Sequence, residues 1–343
     1  MRYLITGGCG FLGSNIAREI LRIGDELVVF DNLSRTGSAE NLRWLQSFAD
    51  FVFVHGDIRN ALDCSQVVQR YQPDVVFHLA GQVAMTTSLS SPYHDFEVNT
   101  VGTLNMLEAI RTSCPQAAIL YSSTNKVYGD LEYLHYTEMD SRYAAVGFEN
   151  GLPESVNLAF KTPYGCSKGA ADQYILDYSK MFGIQGVVFR HSSMYGGRQF
   201  ATLDQGWIGW FCGQALLQKQ GADGDFTISG SGKQVRDILH AEDMVRLYLE
   251  AARCIRSTAG NAYNIGGGVG NSLSVLELMQ LIEDTIGFKP RSRHIAARES
   301  DQKYFVADIS KIRSAIGWEP LISKQEGIGK MISWVEEMQR TPS

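Results

Sequence analysis

The sequence has no long hydrophobic run, and no stretch approaches the 18 apolar residues of a membrane-spanning helix. Proline is scarce, with 8 residues against 34 glycines in 343, which excludes collagen-like and low-complexity classes. Positive charge is not in excess either. The formal net charge of −6 argues against a partner that is nucleic acid or a membrane surface. What remains is 44% hydrophobic and 20% charged, an ordinary globular composition.

The six cysteines form no C-x-x-C pair and stand at no metal-binding distance from a histidine. For a chain with a core of its own, this predicts free thiols in a reducing compartment and no metal site. The first residues, MRYLITGG, are typical of a strand entering a glycine turn rather than of a signal peptide. We therefore expect a cytoplasmic protein.

Short apolar runs of four to six residues recur through the first two thirds of the chain, at 3–6, 27–30, 51–54, 75–79, 118–121 and 186–189. Stretches of helical character, such as 15–23 and 101–113, separate them. This alternation predicts an α/β fold, a doubly wound parallel sheet covered by helices. After about residue 194 the composition changes, and further helices are predicted at 207–218, 273–285 and 324–339. They indicate a smaller C-terminal lobe with a cleft between the two parts.

A glycine-rich turn follows the first run, with Gly7, Gly10 and Gly13 in a G-x-x-G-x-x-G pattern, and a helix is predicted from Ser14. Such a turn lets the backbone and the helix N-terminus approach a pyrophosphate. Asp31 closes the second strand 18 residues after Gly13, where a carboxylate can bind both ribose hydroxyls. It would repel a 2′-phosphate, so the pattern favours NAD over NADP, although Arg35 weakens that preference.

Two other segments are candidate cofactor contacts. Asp57 and Ile58 follow the third strand, where they could meet the adenine. His78-Leu79-Ala80-Gly81 ends the fourth strand with small residues that let a backbone pass the cofactor. His78 itself we interpret as a core histidine.

A candidate catalytic pair, Tyr164 and Lys168, lies one helical turn apart in YGCSK. A nearby ammonium would lower the pKa of the phenol, which could then remove a proton from a sugar hydroxyl. Ser122, Ser123 and Thr124 end the fifth strand, where side chains of a parallel sheet face the ligand crevice. A hydroxyl there could bind the reacting oxygen, or could cap its own strand end.

Together these residues resemble the extended short-chain dehydrogenase/reductase family of nucleotide-sugar enzymes. The resemblance covers essentially the whole chain and includes HLAG at 78–81, YSST at 121–124 and RDILHAEDM at 236–244. It implies a Rossmann-type sheet of about seven strands, NAD as cofactor, and Thr124, Tyr164 and Lys168 as the catalytic set. It also implies further cofactor contacts at Phe11, Leu12, Asn32, Ser34, Gln82, Asn99, Ser122 and His191. The dinucleotide domain would span 1–190, with about 232–262 returning to it, and the nucleotide-sugar lobe 191–231 and 263–343.

The 4,6-dehydratases of this family carry Asp-Glu after the threonine, and the decarboxylases acting on UDP-glucuronate usually carry Glu at the first position. Here Asn125 and Lys126 stand there, which argues against both. The stretches 81–88, 122–130, 190–202 and 204–211, and the 40 positions from Thr124 to Tyr164, resemble CDP-sugar 2-epimerases. Such enzymes oxidise C2 transiently and return the hydride to the opposite face.

The same resemblance implies the substrate contacts. Arg236 and Arg298 would bind phosphate, with Asp301 near a ribose, and Thr86, Ser193 and Met194 would line the sugar pocket. For Arg198 a phosphate contact and a structural ion pair weigh equally, and Trp207 and Trp210 could pack on the base or in the core. A homo-oligomer, dimer or tetramer, is expected. A nucleotide-sugar 4-epimerase and a non-catalytic NAD-binding sensor stay open as alternatives, although a sensor has no chemical need for Thr124, Tyr164 and Lys168.

Overall fold

A computed structural model describes residues 1–202, 205–297 and 301–340. Within them the strands are β1 (Arg2–Thr6), β2 (Glu26–Asp31), β3 (Val52–His55), β4 (Val75–His78), β5 (Ala118–Thr124), β6 (Tyr136–Glu138), β7 (Tyr143–Ala145), β8 (Gln185–His191), β9 (Ser193–Tyr195), β10 (Phe226–Ser229), β11 (Val235–His240), β12 (Asn261–Ile265), β13 (Ser272–Ser274), β14 (Ser292–Ile295) and β15 (Tyr304–Phe305).

The α-helices of the same residues are α1 (Phe11–Ile23), α2 (Ser38–Gln46), α3 (Ala61–Tyr71), α4 (Met85–Ser90), α5 (Pro92–Phe96), α6 (Gly102–Ser113), α7 (Thr162–Phe182), α8 (Trp207–Lys219), α9 (Ala241–Arg253), α10 (Ile255–Thr258), α11 (Val275–Ile286), α12 (Ser310–Ile316) and α13 (Lys324–Arg340). A π-helical turn, Glu97–Val101, joins α5 to α6. None of these helices is long and apolar enough to cross a membrane.

Seven parallel strands form the main sheet, in the order β12-β8-β5-β4-β1-β2-β3. The six predicted apolar runs are all among them, so the predicted doubly wound fold is confirmed. Alternate residues of each strand point to opposite faces, and both faces are buried. One face, with Tyr3, Ile5 and Phe77, packs on α1 and α9. The other, with Leu4, Val76 and Ile119, packs on α3, α6 and α7.

The strand order reverses at β1, because the chain runs outward to β3 and then crosses to β4 on the other side. This reversal opens a crevice at the carboxyl ends of β1 and β4, the position where open α/β sheets bind ligands. The glycine turn lies there. A Cβ on Gly7, which has φ of +68°, would lie 2.7 Å from the backbone nitrogen of Ala80. Only glycine therefore fits at this close approach of two chain segments.

Helix α1 begins at Phe11, earlier than the predicted Ser14. Gly10 is its N-cap and has no side chain with which to cap it. Gly13 thus lies inside the first turn, where a Cβ would overlap the carbonyl oxygen of Gly7. The turn packs tightly beneath α1, so the helix begins before Ser14. The sequence pattern does not encode this packing directly.

The C-terminal part forms two small sheets of its own. In one, β11 pairs with β9, β13 and β15, and in the other β10 pairs with β14. A separate core lies beneath them, built from α8, α11 and α13. Of the segment predicted to return to the first domain, α9 packs on α1 and β12 joins the main sheet, whereas β11 belongs to the smaller sheet.

Candidate active site

A cavity of about 370 Å³ lies between the carboxyl ends of β5 and β8 and the C-terminal sheets. It collects residues from both parts of the chain. The predicted site residues that line it are Phe11, Leu79, Ser122, Thr124, Tyr164, Lys168, His191, Ser193, Met194, Arg236 and Asp301. The structure therefore brings the predicted catalytic set and several predicted substrate residues to one place.

Tyr164 lies in the first turn of α7, which places its phenol against the end of β5. Burial raises the pKa of Tyr164 to about 12, and a hydrogen bond with the Thr124 side chain acts in the opposite direction. Thr124 also accepts a hydrogen bond, of 3.2 Å, from the backbone nitrogen of Lys126. The hydroxyl at the strand end therefore meets the tyrosine, as the spacing predicts.

Lys168 lies one turn further along α7, and its Nζ donates to the carbonyl oxygen of Ser122. The ammonium is 4.3 Å from the centre of the Tyr121 ring. Burial lowers the pKa of Lys168 to about 7, against the raising effects of Asp95 and Asp172. The predicted lowering of the Tyr164 pKa by Lys168 does not appear, because Lys168 is not among the groups that shift this pKa.

A buried polar network supports this pair from behind. Ser167 donates to the carboxylate of Asp95, which is fully buried on α5. Asn99 Nδ2 donates to Ser167 Oγ at 3.0 Å and to Gln82 O at 3.1 Å, and Asn99 Oδ1 accepts from Gln82 N at 3.0 Å. The predicted cofactor contact Asn99 thus uses its amide within the protein, where it fixes the start of α7.

The predicted dinucleotide residues cluster beside the glycine turn. Asp31 is buried at the end of β2 and accepts from the backbone nitrogens of Cys9, at 2.9 Å, and Leu33, at 2.7 Å. Burial raises the pKa of Asp31, and these two hydrogen bonds oppose that rise. Asn32 donates to Asp57 at 2.9 Å, which joins the ends of β2 and β3.

The remaining predicted cofactor residues lie around the same crevice. Ile58 is buried against α6, whereas Ser34 and Arg35 are exposed in the loop after β2. Leu12 lies in the first turn of α1 and Ala80 beneath Gly7. His78 is fully buried between the hydroxyls of Thr6 and Thr103, at 2.8 and 3.0 Å, which confirms its interpretation as a core histidine.

Two further predicted cofactor residues, Gln82 and His191, indicate that the crevice fits a ligand with polar edges. Gln82 Oε1 and His191 Nδ1 are buried and have no hydrogen-bond partner among the described residues. The first turn of α1 likewise has no side-chain cap on its N–H groups. A dinucleotide offers donors and acceptors for such groups, and a pyrophosphate suits the helix terminus.

At the other end of the cavity, Arg236 donates to Asp301 at 2.7 Å and to the carbonyl oxygen of Gln302 at 2.8 Å. Lys126 Nζ lies 4.0 Å from the same Asp301 carboxylate. The predicted phosphate ligand Arg236 thus joins Lys126 and Asp301 in a cluster of two cations and one carboxylate that faces the cavity. Lys126 stands where the dehydratases carry Glu, and the sequence pattern assigns no ligand role to it.

Of the predicted substrate residues that the structure describes, two do not line the cavity. Thr86 lies on α4 with its hydroxyl buried. Arg198 donates to Asn41 Oδ1 at 2.8 Å and stacks 4.6 Å from the Trp44 ring, so it is held against α2. Arg298 falls outside the described residues.

The cavity also contains residues for which no role was predicted, among them Gln199 and Gln234. The indole Nε1 of Trp207 donates to Ser193 Oγ at 3.2 Å, whereas Trp210 packs on Phe211 and Phe226, and both rings line the cavity. Among the described residues, no group of His, Cys, Asp and Glu side chains could hold a metal ion.

The parallel sheet, the glycine turn and the convergence of Thr124, Tyr164 and Lys168 define an extended short-chain dehydrogenase/reductase. The chain belongs to the GDP-mannose 4,6-dehydratase family, whose model matches residues 4–331.

The chain is 58% identical to the CDP-paratose 2-epimerase of Salmonella typhi over 98% of this chain and 100% of that protein. Its fold matches the UDP-glucose 4-epimerase of Thermotoga maritima, solved with UDP-glucose. The TM-score is 0.85 with 26% identity, over 99% of this chain and 100% of that one. The UDP-glucose 4-epimerase of Thermus thermophilus, solved with NAD, gives a TM-score of 0.80 with 26% identity, over 98% and 99% of the two chains.

Proposed function

We propose that this protein is an NAD-dependent isomerase of the EC 5.1.3 type. It inverts C2 of a CDP-linked dideoxyhexose and thereby interconverts CDP-paratose and CDP-tyvelose. The observation that carries this proposal is one cavity in which Thr124, Tyr164 and Lys168 meet while Asn125 and Lys126 replace the acidic pair of a dehydratase. The 58% identity to a CDP-paratose 2-epimerase over nearly the full length supports it.

The dinucleotide would lie along the glycine turn and α1, with Asp31 at the adenosine ribose and Gln82 and His191 near the nicotinamide end. The unpartnered polar atoms of Gln82 and His191 support this placement. When bound, NAD⁺ supplies reversible two-electron oxidation at carbon. Lys168 would hold the nicotinamide ribose and keep a positive charge beside the phenol.

C2 of such a sugar carries no acidic C–H bond, so inversion requires transient oxidation to a 2-keto sugar. Tyr164 would remove the proton of the C2 hydroxyl and later return it. Thr124 would bind the same oxygen and hold it in line with the phenol. Because burial raises the pKa of Tyr164 to about 12, this proton transfer requires nearby positive charge, which a bound cationic nicotinamide ring would supply together with Lys168.

The diphosphate would bind at the cationic end, on Arg236 and, by family resemblance, Arg298, with Asp301 near a ribose. Ser193 and Met194 would form the wall of the sugar pocket. The proposal includes the division into a dinucleotide domain and a nucleotide-sugar lobe that the sequence predicts. The smaller sheets would bind the nucleotide and the seven-stranded sheet the cofactor.

The change Tyr164→Phe tests the assignment, because it removes the proton acceptor and leaves the packing of the ring intact. We expect turnover to fall by roughly 100-fold or more, the scale of a lost acid–base group, with an unchanged melting temperature. The measurement is NMR of the products from CDP-paratose. Activity near that of the unmodified protein would refute the role of Tyr164.

A substrate deuterated at C2 tests the internal redox cycle. We expect the label to remain at C2 of the product, since the hydrogen removed is the one returned. Product without deuterium would exclude that cycle. A panel of CDP- and UDP-sugars, examined carbon by carbon, identifies the inverted position.

A 4-epimerase acting on a nucleotide hexose is the second candidate. The TM-score of 0.85 to a UDP-glucose 4-epimerase favours it, because the fold alone does not dictate which sugar carbon faces the tyrosine. Inversion at C4 of a UDP-sugar in the same panel would identify the protein as a 4-epimerase.

We also propose that the protein forms a homo-oligomer, a dimer or tetramer. Its support is an exposed apolar surface on α7, formed by Tyr174, Met181 and Phe182. Sedimentation of the protein and of a Met181→Glu variant tests it.

The six free cysteines support a reducing, cytoplasmic setting.

A further inference from the structure

Two residues that line the cavity carry a buried side-chain polar atom without a hydrogen-bond partner among the described residues: His191, at Nδ1, and Gln199, at Oε1. His191 belongs to the proposed cofactor site. Gln199 lies on the far side, beside α8, and no role has been assigned to it. A buried acceptor without a hydrogen-bond donor lowers the stability of the folded protein, so we expect a bound ligand to supply a donor to each such atom.

The Gln199 side chain is held in one orientation. Its Nε2 donates to the carbonyl oxygen of Met194 at 3.2 Å, and the residue is only 7% exposed. A flipped amide would turn its oxygen toward that carbonyl, which repels it. Gly206 leaves room beside the amide, since a Cβ there would lie 3.3 Å from Oε1. The oxygen is therefore a fixed acceptor.

We propose that Gln199 is a substrate-binding residue, whose Oε1 accepts a hydrogen bond from an O–H or N–H group of the bound nucleotide sugar. The identity of that ligand rests on the proposed function. A phosphate oxygen cannot fill this position, because it is itself an acceptor. The diphosphate therefore belongs to the cations Arg236 and Lys126, and Gln199 recognises a neutral donor.

The chain path favours a sugar hydroxyl as that donor. His191 is in register with Thr124 across β5 and β8, and Ser193 and Met194 lie two and three residues further along the chain. Gln199 is bound to the backbone of Met194, and Ser193 accepts from Trp207. Gln199 is thus hydrogen-bonded to β9, which follows β8, the strand that pairs with β5 at Thr124. The ribose hydroxyls and the 4-amino group of cytosine are the other donors on such a ligand.

The test measures binding by calorimetry, with NAD-loaded Tyr164→Phe protein so that turnover does not interfere. The ligands are the CDP-sugar, analogues in which fluorine replaces each hydroxyl of the hexose and of the ribose in turn, and the UDP counterpart. Fluorine cannot donate a hydrogen bond, and uracil presents a carbonyl where cytosine has its amino group. We expect one analogue to bind roughly 10- to 100-fold more weakly, as a buried acceptor left without its donor implies.

Adding Gln199→Met keeps the size of the side chain and removes the acceptor. We expect that variant to bind the parent ligand more weakly and to discriminate against the critical analogue by less than about 3-fold, the mark of a direct coupling. Gln220→Met, the same change at an exposed position of the chain, is the control and should keep the full discrimination. Gln199→Leu, which also removes the acceptor, is measured instead if Gln199→Met does not fold.

Loss of discrimination at a sugar position assigns the donor to that hydroxyl, and loss at the CDP–UDP pair assigns it to the cytosine amino group. The inference is overturned if Gln199→Met weakens all ligands by one factor or weakens none. Product analysis with the unmodified protein reports separately on the proposed function. The binding series retains its meaning even if the inverted carbon is not C2.

Discussion

Lys168 is a buried ammonium whose only direct hydrogen bond among the described residues is to the Ser122 carbonyl oxygen. Its charge depends on carboxylates that it does not touch. Asp95, bound to Ser167 and Asn99 behind the α7 turn, raises the pKa of both Lys168 and Tyr164. Asp95 is therefore a positioning residue that also adjusts the charge of the catalytic pair.

The change Asp95→Asn removes this charge and keeps an oxygen that can accept from Ser167. The pKa values of Lys168 and Tyr164 should both fall, because a negative neighbour no longer stabilises their protonated forms. We expect the whole pH–rate profile to move to lower pH, its basic limb included. Asp177→Asn, the same change at an exposed position of α7, should leave the profile in place. A lower rate with an unmoved profile would mean that Asp95 acts through structure alone.

Sequence reasoning found the residues that local spacing determines. Tyr164 and Lys168 lie one turn apart on a helix, and Thr124 ends a buried strand, so their meeting follows from periodicity and topology. Lys126 was missed because its surroundings depend on a distant segment, at Asp301. Gln199 was missed because its burial and its hydrogen bond to Met194 belong to a loop whose conformation no sequence motif indicates. Arg198 is held by Asn41, 157 residues away, a contact that no local pattern indicates.

At the scale of elements, six of the seven strands of the main sheet were predicted, because each is a short apolar run. The seventh, β12, has the sequence NAYNI and was not predicted, since asparagines interrupt its apolar pattern. The strands of the smaller sheets, such as β6, β14 and β15, were not predicted. They have two to four residues, and β6 and β14 have no buried residue, so they carry no hydrophobic signal. Their pairing depends on tertiary contacts.

The junction of β1 with α1 allows no side chain at Gly13, where a Cβ would overlap the Gly7 carbonyl oxygen. We expect Gly13→Ala to displace the turn, to lower the melting temperature and to reduce the NAD that co-purifies with the protein. Gly329→Ala is a matched control, since that glycine also lies in a helix, α13, and a Cβ there meets nothing within 4 Å. The control should gain up to about 1 kcal/mol from helix propensity. Equal melting temperatures for the two variants would contradict the steric argument.

Asp237 joins β11 to the neighbouring segments, because its carboxylate accepts from the backbone nitrogens of Gly268, at 3.0 Å, and Ala307, at 3.1 Å. Burial raises the pKa of Asp237 to about 6. A carboxyl whose pKa is raised on folding stabilises the folded state while it is protonated. Its contribution is therefore lost as pH rises from its ordinary value near 3.8 through 6.

The change Asp237→Asn imitates the neutral form, and its amide oxygen can accept the same two N–H groups. Relative to the unmodified protein, we expect the variant to gain stability as pH rises from 4 to 7, by up to roughly 3 kcal/mol for a two-unit pKa difference. Thermal melts at several pH values measure it, with Asp223→Asn at an exposed position as control. A difference in stability that does not vary with pH would show that Asp237 is not the titrating group.

At the scale of the whole molecule, an acidic chain must bind two anionic ligands. The net charge of −6 is spread over the surface, whereas the charged side chains that line the cavity are Lys126, Lys168, Arg236 and Asp301 among the described residues. Two of the predicted cationic site residues, Lys168 and Arg236, thus lie in one cleft, whereas Arg198 lies against α2. This local reversal of sign gives the molecule an attractive site within a repulsive field.

The field predicts how nucleotide-sugar binding depends on salt. Screening weakens attraction by the cavity cations, so the affinity should fall as ionic strength rises, and Arg236→Gln should flatten that dependence as well as lower the affinity. Calorimetric titration with CDP-sugar from low to physiological salt measures both. Arg256→Gln, which removes an exposed charge elsewhere, should leave the slope unchanged. If Arg236→Gln and Arg256→Gln gave the same slope, the overall charge of the chain, and not the cations of the cavity, would govern binding.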